Sequence, residues 1–252
     1  QGGAAFERIF SSTGPTGVMR AASRLQRDFT PAFQRWFEIE AGPLVPEDLV
    51  EKVNRQLVTP TQIAHATLDH SAFSTASLEG YGDLMVSTMA LLANEGDDQM
   101  PIHWTSAPAW ALSFEQGPSG RCDNVFWEKE FPAWILPRHW PKAEWPLKVK
   151  DLIAAGSTEA VKILQTTYYD PEIVGWRLTL MCKHGGEKAV VFDSARDRTN
   201  PWIITRYWTT PEDPWGRGPV MLALPDMRTE NKAVEMILKA AAFSLAPPLM
   251  VL

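Results

Sequence analysis

Pro201-Trp202-Ile203-Ile204-Thr205-Arg206-Tyr207-Trp208, followed by Trp215-Gly216-Arg217-Gly218-Pro219-Val220-Met221-Leu222-Ala223-Leu224-Pro225-Asp226-Met227-Arg228-Thr229-Glu230-Asn231, decides the reading of this chain. Its first part is a β-rich run of branched and aromatic residues. Gly216-Arg217-Gly218-Pro219 reads most simply as a tight corner that re-aims the chain. The alternative is an anion cradle, two glycines around an Arg ahead of a capped helix. Pro225-Asp226 then predicts a helix start, with the Asp226 carboxylate accepting from the free N–H groups of the first turn. Met227, Val234, Ile237, Leu238, Ala241 and Leu245 recur at helical spacing until Pro247-Pro248. Lys232 with Glu235, and Glu235 with Lys239, are spaced to pair along its polar side. At 1.5 Å per residue, Asp226 to Leu245 makes a rod of about 30 Å.

Upstream of this passage, Glu159 to Trp208 reads as one small β subdomain. Its runs are Val161–Tyr169, Gly175–Met181, Ala189–Phe192 and Trp202–Trp208, with a turn at His184-Gly185-Gly186-Glu187 joining the second to the third. Before it, Phe131 to Ala155 predicts partial helix broken by prolines, firmest from Leu147 onward. Gln116-Gly117-Pro118-Ser119-Gly120 predicts a hairpin joining an Ala-Trp-Ala-Leu block to Val125-Phe126-Trp127. Nearer the start, Gly17 to Phe29 has apolar residues at helical spacing with Arg20, Arg24 and Arg27 on the other side. Trp36 to Ile39 alternates like a short strand. A second helix is predicted from Pro46-Glu47-Asp48 to about Val58. From Pro60 to about Asn94 the spacing again predicts helix, with Phe73, Leu78, Leu84, Met85, Met89 and Leu91 inward and Gly80-Tyr81-Gly82 as an interruption.

With 252 residues, 45% of them hydrophobic, the chain can bury one sizeable core or two smaller ones. No apolar run reaches the roughly 18 to 20 residues that cross a bilayer, and the start is not a secretory signal, so a soluble intracellular product is expected. Gln1 at the start and the apolar run Ala246 to Leu252 at the end read as a trimmed or processed piece. Cys122 and Cys182 are far apart and outside any C-x-x-C pair, which predicts buried free thiols. The formal charge of −6, from 24 Lys+Arg against 30 Asp+Glu, argues against tight gripping of phosphates but not against DNA sliding past. Eleven Trp and 20 Pro suit either a surface rich in protein contacts or a Trp-rich core.

The marks of phosphate loops, dinucleotide sites, zincins and hydrolase elbows are absent from the sequence. His65 and His70 flank Asp69, but a spacing of five separates the imidazoles around a helix. Asp193, Asp197 and Asp213 are the carboxylates a metal-dependent nuclease or hydrolase would use. A charged loop after a strand explains them more simply.

The passage from Pro201 to Asn231, continued by Ala240-Ala241-Ala242 and Pro247-Pro248-Leu249-Met250-Val251, resembles the portal, or head-to-tail connector, family of short-tailed bacteriophages. The family pattern runs P-[FW]-I-V-x-R-W, a short gap, Y-G-R-G-P-x-M-x-A-L-P-D-[IM]-[KR]-T-x-N, then a helix ending at P-P-L. Trp215 stands where the family usually has Tyr, and Tyr207-Trp208 where a single Trp is usual. The resemblance implies an α+β portal-like subunit with an α-rich wing, a helical stem and a small β-rich clip. On these positions the wing would be 1–125, the descending stem 126–158, the clip 159–210 and the returning stem helix 211–246. Residues 247–252 would begin a further wing or crown portion outside this chain.

The resemblance further implies a noncatalytic structural protein of the virion, assembled in the host cytoplasm, with no cofactor and no membrane. Its copies would form a ring, usually a dodecamer, serving as the DNA channel for genome packaging and ejection. Implied partners are the terminase packaging motor, a tail adaptor protein, capsid and scaffolding proteins, and double-stranded DNA passing non-specifically. The stem and clip positions it points to are Arg206, Trp208, Gly216, Arg217, Gly218, Pro219, Pro225, Asp226, Lys232, Val234 and Ile237. Another ring or adaptor protein of the virion neck is the neighbouring alternative.

Overall fold

The computed structural model describes residues 9–117, 120–182, 184 and 189–245 and shows an α+β fold. Among the described residues three helices come first: α1 (Thr13–Phe29), α2 (Glu47–His70) and α3 (Phe73–Val86). Strand β1 (Thr88–Glu95) follows and pairs antiparallel with β2 (Ile102–Ser106). A second sheet is an antiparallel meander of β3 (Leu112–Gln116), β4 (Cys122–Pro132), β5 (Ala160–Asp170), β6 (Gly175–Cys182) and β7 (Val190–Asp197). The short helices α4 (Leu136–His139) and α5 (Leu147–Ala154) lie between β4 and β5. The last described elements are β8 (Trp202–Arg206), the two-residue strands β9 (Trp208–Thr209) and β10 (Gly216–Arg217), and α6 (Pro219–Leu245).

Tertiary pairing and packing correct several expectations. The run Thr88 to Leu92 is a central strand, not helix, buried at all five positions. Met89 and Leu91 face α1 and α3 while Ala90 and Leu92 face the other core. A strand buried on both faces gives a continuous apolar run, which periodicity cannot separate from a buried helix. Gly80-Tyr81-Gly82 does not interrupt α3: a Cβ on Gly80 would stand 2.9 Å from Met89 Cγ, so the glycine lets the helix pack closely on β1.

The segment Trp36 to Ile39 has no ladder partner. It is held against α2 instead, where the Phe37 carbonyl lies 2.9 Å from His65 Nε2 and the Ile39 N–H donates to Thr61 Oγ1 at 3.1 Å. Those anchors lie beyond Pro60, and α2 runs through that proline to His70.

β8 does not join the strands of residues 160–197. It pairs antiparallel with β1, Thr88 opposite Arg206 and Leu92 opposite Trp202. Conversely, the ladder of β3 and β4 joins β5, so residue 125 falls in the middle of a strand. Between 126 and 158 the structure holds the second half of β4 and two short helices, of which Leu147–Ala154 agrees with the firmest part of the prediction. The β3–β4 and β6–β7 hairpins form as expected. Most of the turn predicted at 184–187 lies outside the described residues.

Three cores result. One lies between the sheets around Leu92, Val125, Trp127 and Trp202. A second packs α4 and α5 on the large sheet through Leu136, Val149 and Ile163. The third packs α1 and α3 on β1 through Ala22, Leu84 and Met85. Trp127, Trp145 and Trp202 are buried, whereas Trp110, Trp134 and Trp208 are exposed, so tryptophan serves both core and surface. The indole N–H of Trp202 donates to Thr167 Oγ1 at 3.0 Å, a buried bond from β8 to the large sheet.

Candidate assembly surface

The corner at Gly216-Arg217-Gly218-Pro219 is wedged against the end of α3 and the start of β1. The Gly216 N–H donates to Thr88 Oγ1 at 2.8 Å, the Gly218 N–H to the Val86 carbonyl at 3.2 Å, and Ser87 Oγ donates to the Gly216 carbonyl at 3.1 Å. The two glycine amides that an anion cradle would need are therefore both committed, and the tight-corner reading holds. Space, not backbone angle, requires the glycines. A Cβ on Gly218 would fall 2.0 Å from the Met85 carbonyl oxygen, and one on Gly216 would fall 2.6 Å from that of Ser87.

Arg206 faces the same corner. Its guanidinium donates to the backbone carbonyls of Gly120 at 2.8 Å and Pro214 at 3.4 Å, tying the β3–β4 turn to the approach of β10. Trp215 packs on Phe114 with ring centroids 4.8 Å apart. Arg217 points outward, 3.8 Å from Asp213. Trp208 is about half exposed and stands edge-on to Tyr207.

From this corner α6 starts seven residues earlier than predicted. Pro219 begins it, where a missing N–H costs nothing. Asp226 is consequently inside the helix and caps nothing. Pro225 leaves only the Met221 carbonyl without its intrahelical donor, while its own carbonyl accepts from Thr229 Oγ1 at 3.0 Å. The helix begins upstream because Val220 packs into the α1–α3 core and Gly14 of α1 abuts Met227. Asn231 Oδ1 accepts from the Phe10 and Ser11 N–H groups, and Glu230 accepts from Ser11 Oγ at 2.8 Å.

Past Asn231 the contacts thin out. No residue of α6 is buried, and Met236, Ile237, Leu238, Phe243 and Leu245 are all exposed, Ile237 by 67%. Val234 is half-buried. The expected charge pairs do form: Lys232 and Lys239 both reach Glu235, which holds its carboxyl down to about 2. At 27 residues the helix is about 40 Å long.

The other candidate residues form no reactive cluster. His65 is buried and stacked on Phe37, 4.1 Å between ring centroids, away from His70. Among the described residues no group of three or more His, Cys, Asp or Glu could hold a metal ion, so Asp193, Asp197 and Asp213 are not brought together. Cys122 and Cys182 are buried thiols, neither of them in a disulfide, and burial pushes the Cys122 thiol up. No described helix is long and apolar enough to cross a membrane. Sequence reasoning missed a cavity of about 730 Å³ between α1, α2 and β1, whose lining Trp104 has a buried Nε1 with no acceptor among the described residues. It also missed a groove beside β4, lined by Trp110 and Lys129.

What these surfaces define is an α+β protein whose conspicuous feature is a long, uncovered apolar helix set on a rigid corner. The chain belongs to the family described as bacteriophage head to tail connecting protein, whose model matches residues 1–252. It is thus a structural protein of the phage, placed at the junction of head and tail. A search of curated proteins finds no match to it.

Proposed function

We propose that this connector is a portal subunit, whose copies form a ring, with twelve the expected number, around a channel for double-stranded DNA. DNA enters the head through the channel during packaging and leaves through it at ejection. In this reading residues 1–125 act as the wing toward the capsid and scaffolding proteins. Residues 126–158 and 211–246 act as the stem, and 159–210 as the clip that meets the terminase motor and then the tail adaptor. These are regions of contact, not separate sheets, because β4 and β8 cross between them.

The observation that carries the proposal is α6. A helix with five large apolar side chains in the open over its last ten residues is poorly stabilised by water and well suited to being covered. The head-to-tail junction supplies the cover if neighbouring copies pack side by side through their helices. The formal charge of −6 supports a conduit as well, since a wall that neutralised many phosphates would hold DNA in place.

Light scattering and negative-stain imaging of the 252-residue chain test this. Rings are expected, and Ile237→Asp or Val234→Asp should leave folded monomers, because a carboxylate would be buried unpaired between copies. A wild-type chain that stays monomeric at every concentration would refute it, and rings unaffected by either substitution would misassign the helix.

A further inference from the structure

β3 begins only at Leu112, opposite Trp127, while β4 continues to Pro132. From Glu128 onward β4 is laddered only on its β5 side, where Glu128 to Pro132 oppose Leu164 to Ala160. An antiparallel strand paired on one side leaves alternate N–H and C=O groups facing the vacant lane. The chain ahead of β3 turns off as a single 3₁₀ turn at Ala109–Ala111. The vacated lane is a groove of about 870 Å³ bordered by Pro108, Trp110, Ser113, Lys129 and Phe131.

Two side chains in this groove lack a partner suited to them. Trp110 is 88% exposed, the most open indole in the described chain. Lys129 lies on the inward face of β4, in line with Trp127 and opposite Ile163, with Nζ 3.4 Å from the Trp127 ring centroid. The flanking Glu128 and Glu130 are drawn to Lys162, at 2.6 and 3.7 Å, and no carboxylate among the described residues pairs with Lys129. Burial without a counter-ion lowers the ammonium to about 8. A carboxylate brought to it would be met by a desolvated, fixed cation.

We propose that this groove docks an extended acidic segment of a partner protein. The segment's backbone continues the lane of β3 along Glu128 to Phe131, one carboxylate meets Lys129, and an adjacent apolar side chain lies on Trp110. Main-chain bonds along an open edge favour an extended occupant. Of the two lysines that line the groove, Lys162 is taken up by Glu128 and Glu130, and Lys129, held against the Trp127 indole, is the one that can select an acidic side chain. Duplex DNA is the poorer match, because a duplex has no extended peptide backbone to add to the open edge and one desolvated cation neutralises few phosphates. The inference is independent of ring formation and holds for a monomer as for a ring.

The probes are nine-residue, end-blocked peptides of alternating threonine and valine, with glutamate, glutamine or lysine at the centre, titrated by fluorescence anisotropy. The glutamate peptide should bind about tenfold or more tighter than the glutamine peptide, as expected for one charge-assisted contact. Lys129→Met keeps the side-chain stem over Trp127 and should abolish that preference. Lys129→Glu should invert it in favour of the lysine peptide, an outcome that a folding role alone does not produce. Trp110→Ala, at an exposed site, should weaken the glutamate and glutamine peptides alike. The proposal is overturned if no peptide binds, if glutamate and glutamine bind equally, if the preference survives in Lys129→Met, or if a duplex oligonucleotide displaces the peptide.

Discussion

Replacing Gly218 with alanine sets a methyl carbon 2.0 Å from the Met85 carbonyl oxygen and 2.6 Å from that of Leu84. Ordinary contact needs about 3.5 Å, so the corner must retreat from α3 by more than about 1 Å. Both obstacles are backbone atoms at the end of a packed helix, which cannot rotate aside as a side chain can. The retreat breaks the Gly218 N–H bond to Val86 and strains the buried Gly216 N–H bond to Thr88. Overpacking costs about 1–3 kcal/mol, and a buried donor left without an acceptor costs about as much again. The substitution should therefore destabilise by roughly 3–4 kcal/mol, a large share of the ~5–15 kcal/mol that holds a domain together. In a chain of this length that lowers the melting temperature by roughly 10 °C. Calorimetry of Gly218→Ala is read against Gly82→Ala, where an added Cβ meets nothing within 4 Å inside α3. The control should gain about 0.5–1 kcal/mol from helix propensity. If Gly218→Ala stays within about 1 kcal/mol of wild type, the close approach is not what fixes the glycine, and the account of the corner is wrong.

Trp202→Phe removes the indole donor from the buried Thr167 hydroxyl and should cost roughly 1–3 kcal/mol. Combining it with Thr167→Val should recover part of that loss, and strict additivity in denaturant titrations would show that the bond between the sheets contributes nothing. The Glu235 carboxyl is held to about 2 against an ordinary 4.5. Its contribution to folded α6 is present in full above about pH 4.5 and is lost as pH falls through about 2. An NMR titration should place its midpoint near 2 and return it toward 4.5 when Lys232 and Lys239 are both alanine; a wild-type midpoint above 4 contradicts the ion triad. For the apolar half of α6, Ile237→Asp should leave the melting temperature of the monomer within a few degrees while abolishing assembly, because Ile237 is exposed within a single chain.

Much of the candidate surface was legible because its signals are local. Gly216-Arg217-Gly218-Pro219 reads as a corner from its residue types, and the spacing of Lys232, Glu235 and Lys239 alone predicts their pairing. The long helix ending near Leu245 follows from its periodicity. Its start was misplaced because Asp226 looks like a cap and Pro225 like a breaker. The true start at Pro219 is fixed by the contacts of Val220 and Met227 with α1 and α3, which no local pattern records. Lys129 was invisible for a related reason: between two glutamates it reads as an ordinary solvated lysine. Only the start of β3 at Leu112 and the pairing of both glutamates with Lys162 leave it, among the described residues, a cation with an aromatic neighbour but no carboxylate partner.

By itself, then, the sequence determined the α+β class, the hairpins, the corner and the family, since these depend on residue type and short-range order. Only the tertiary structure decided that Trp202–Arg206 pairs with Thr88–Leu92 instead of with the strands just before it, and that α6 is left uncovered. Strand partners and uncovered faces are settled by which distant apolar surfaces exclude water together, and a one-dimensional pattern carries the need for a partner without its address.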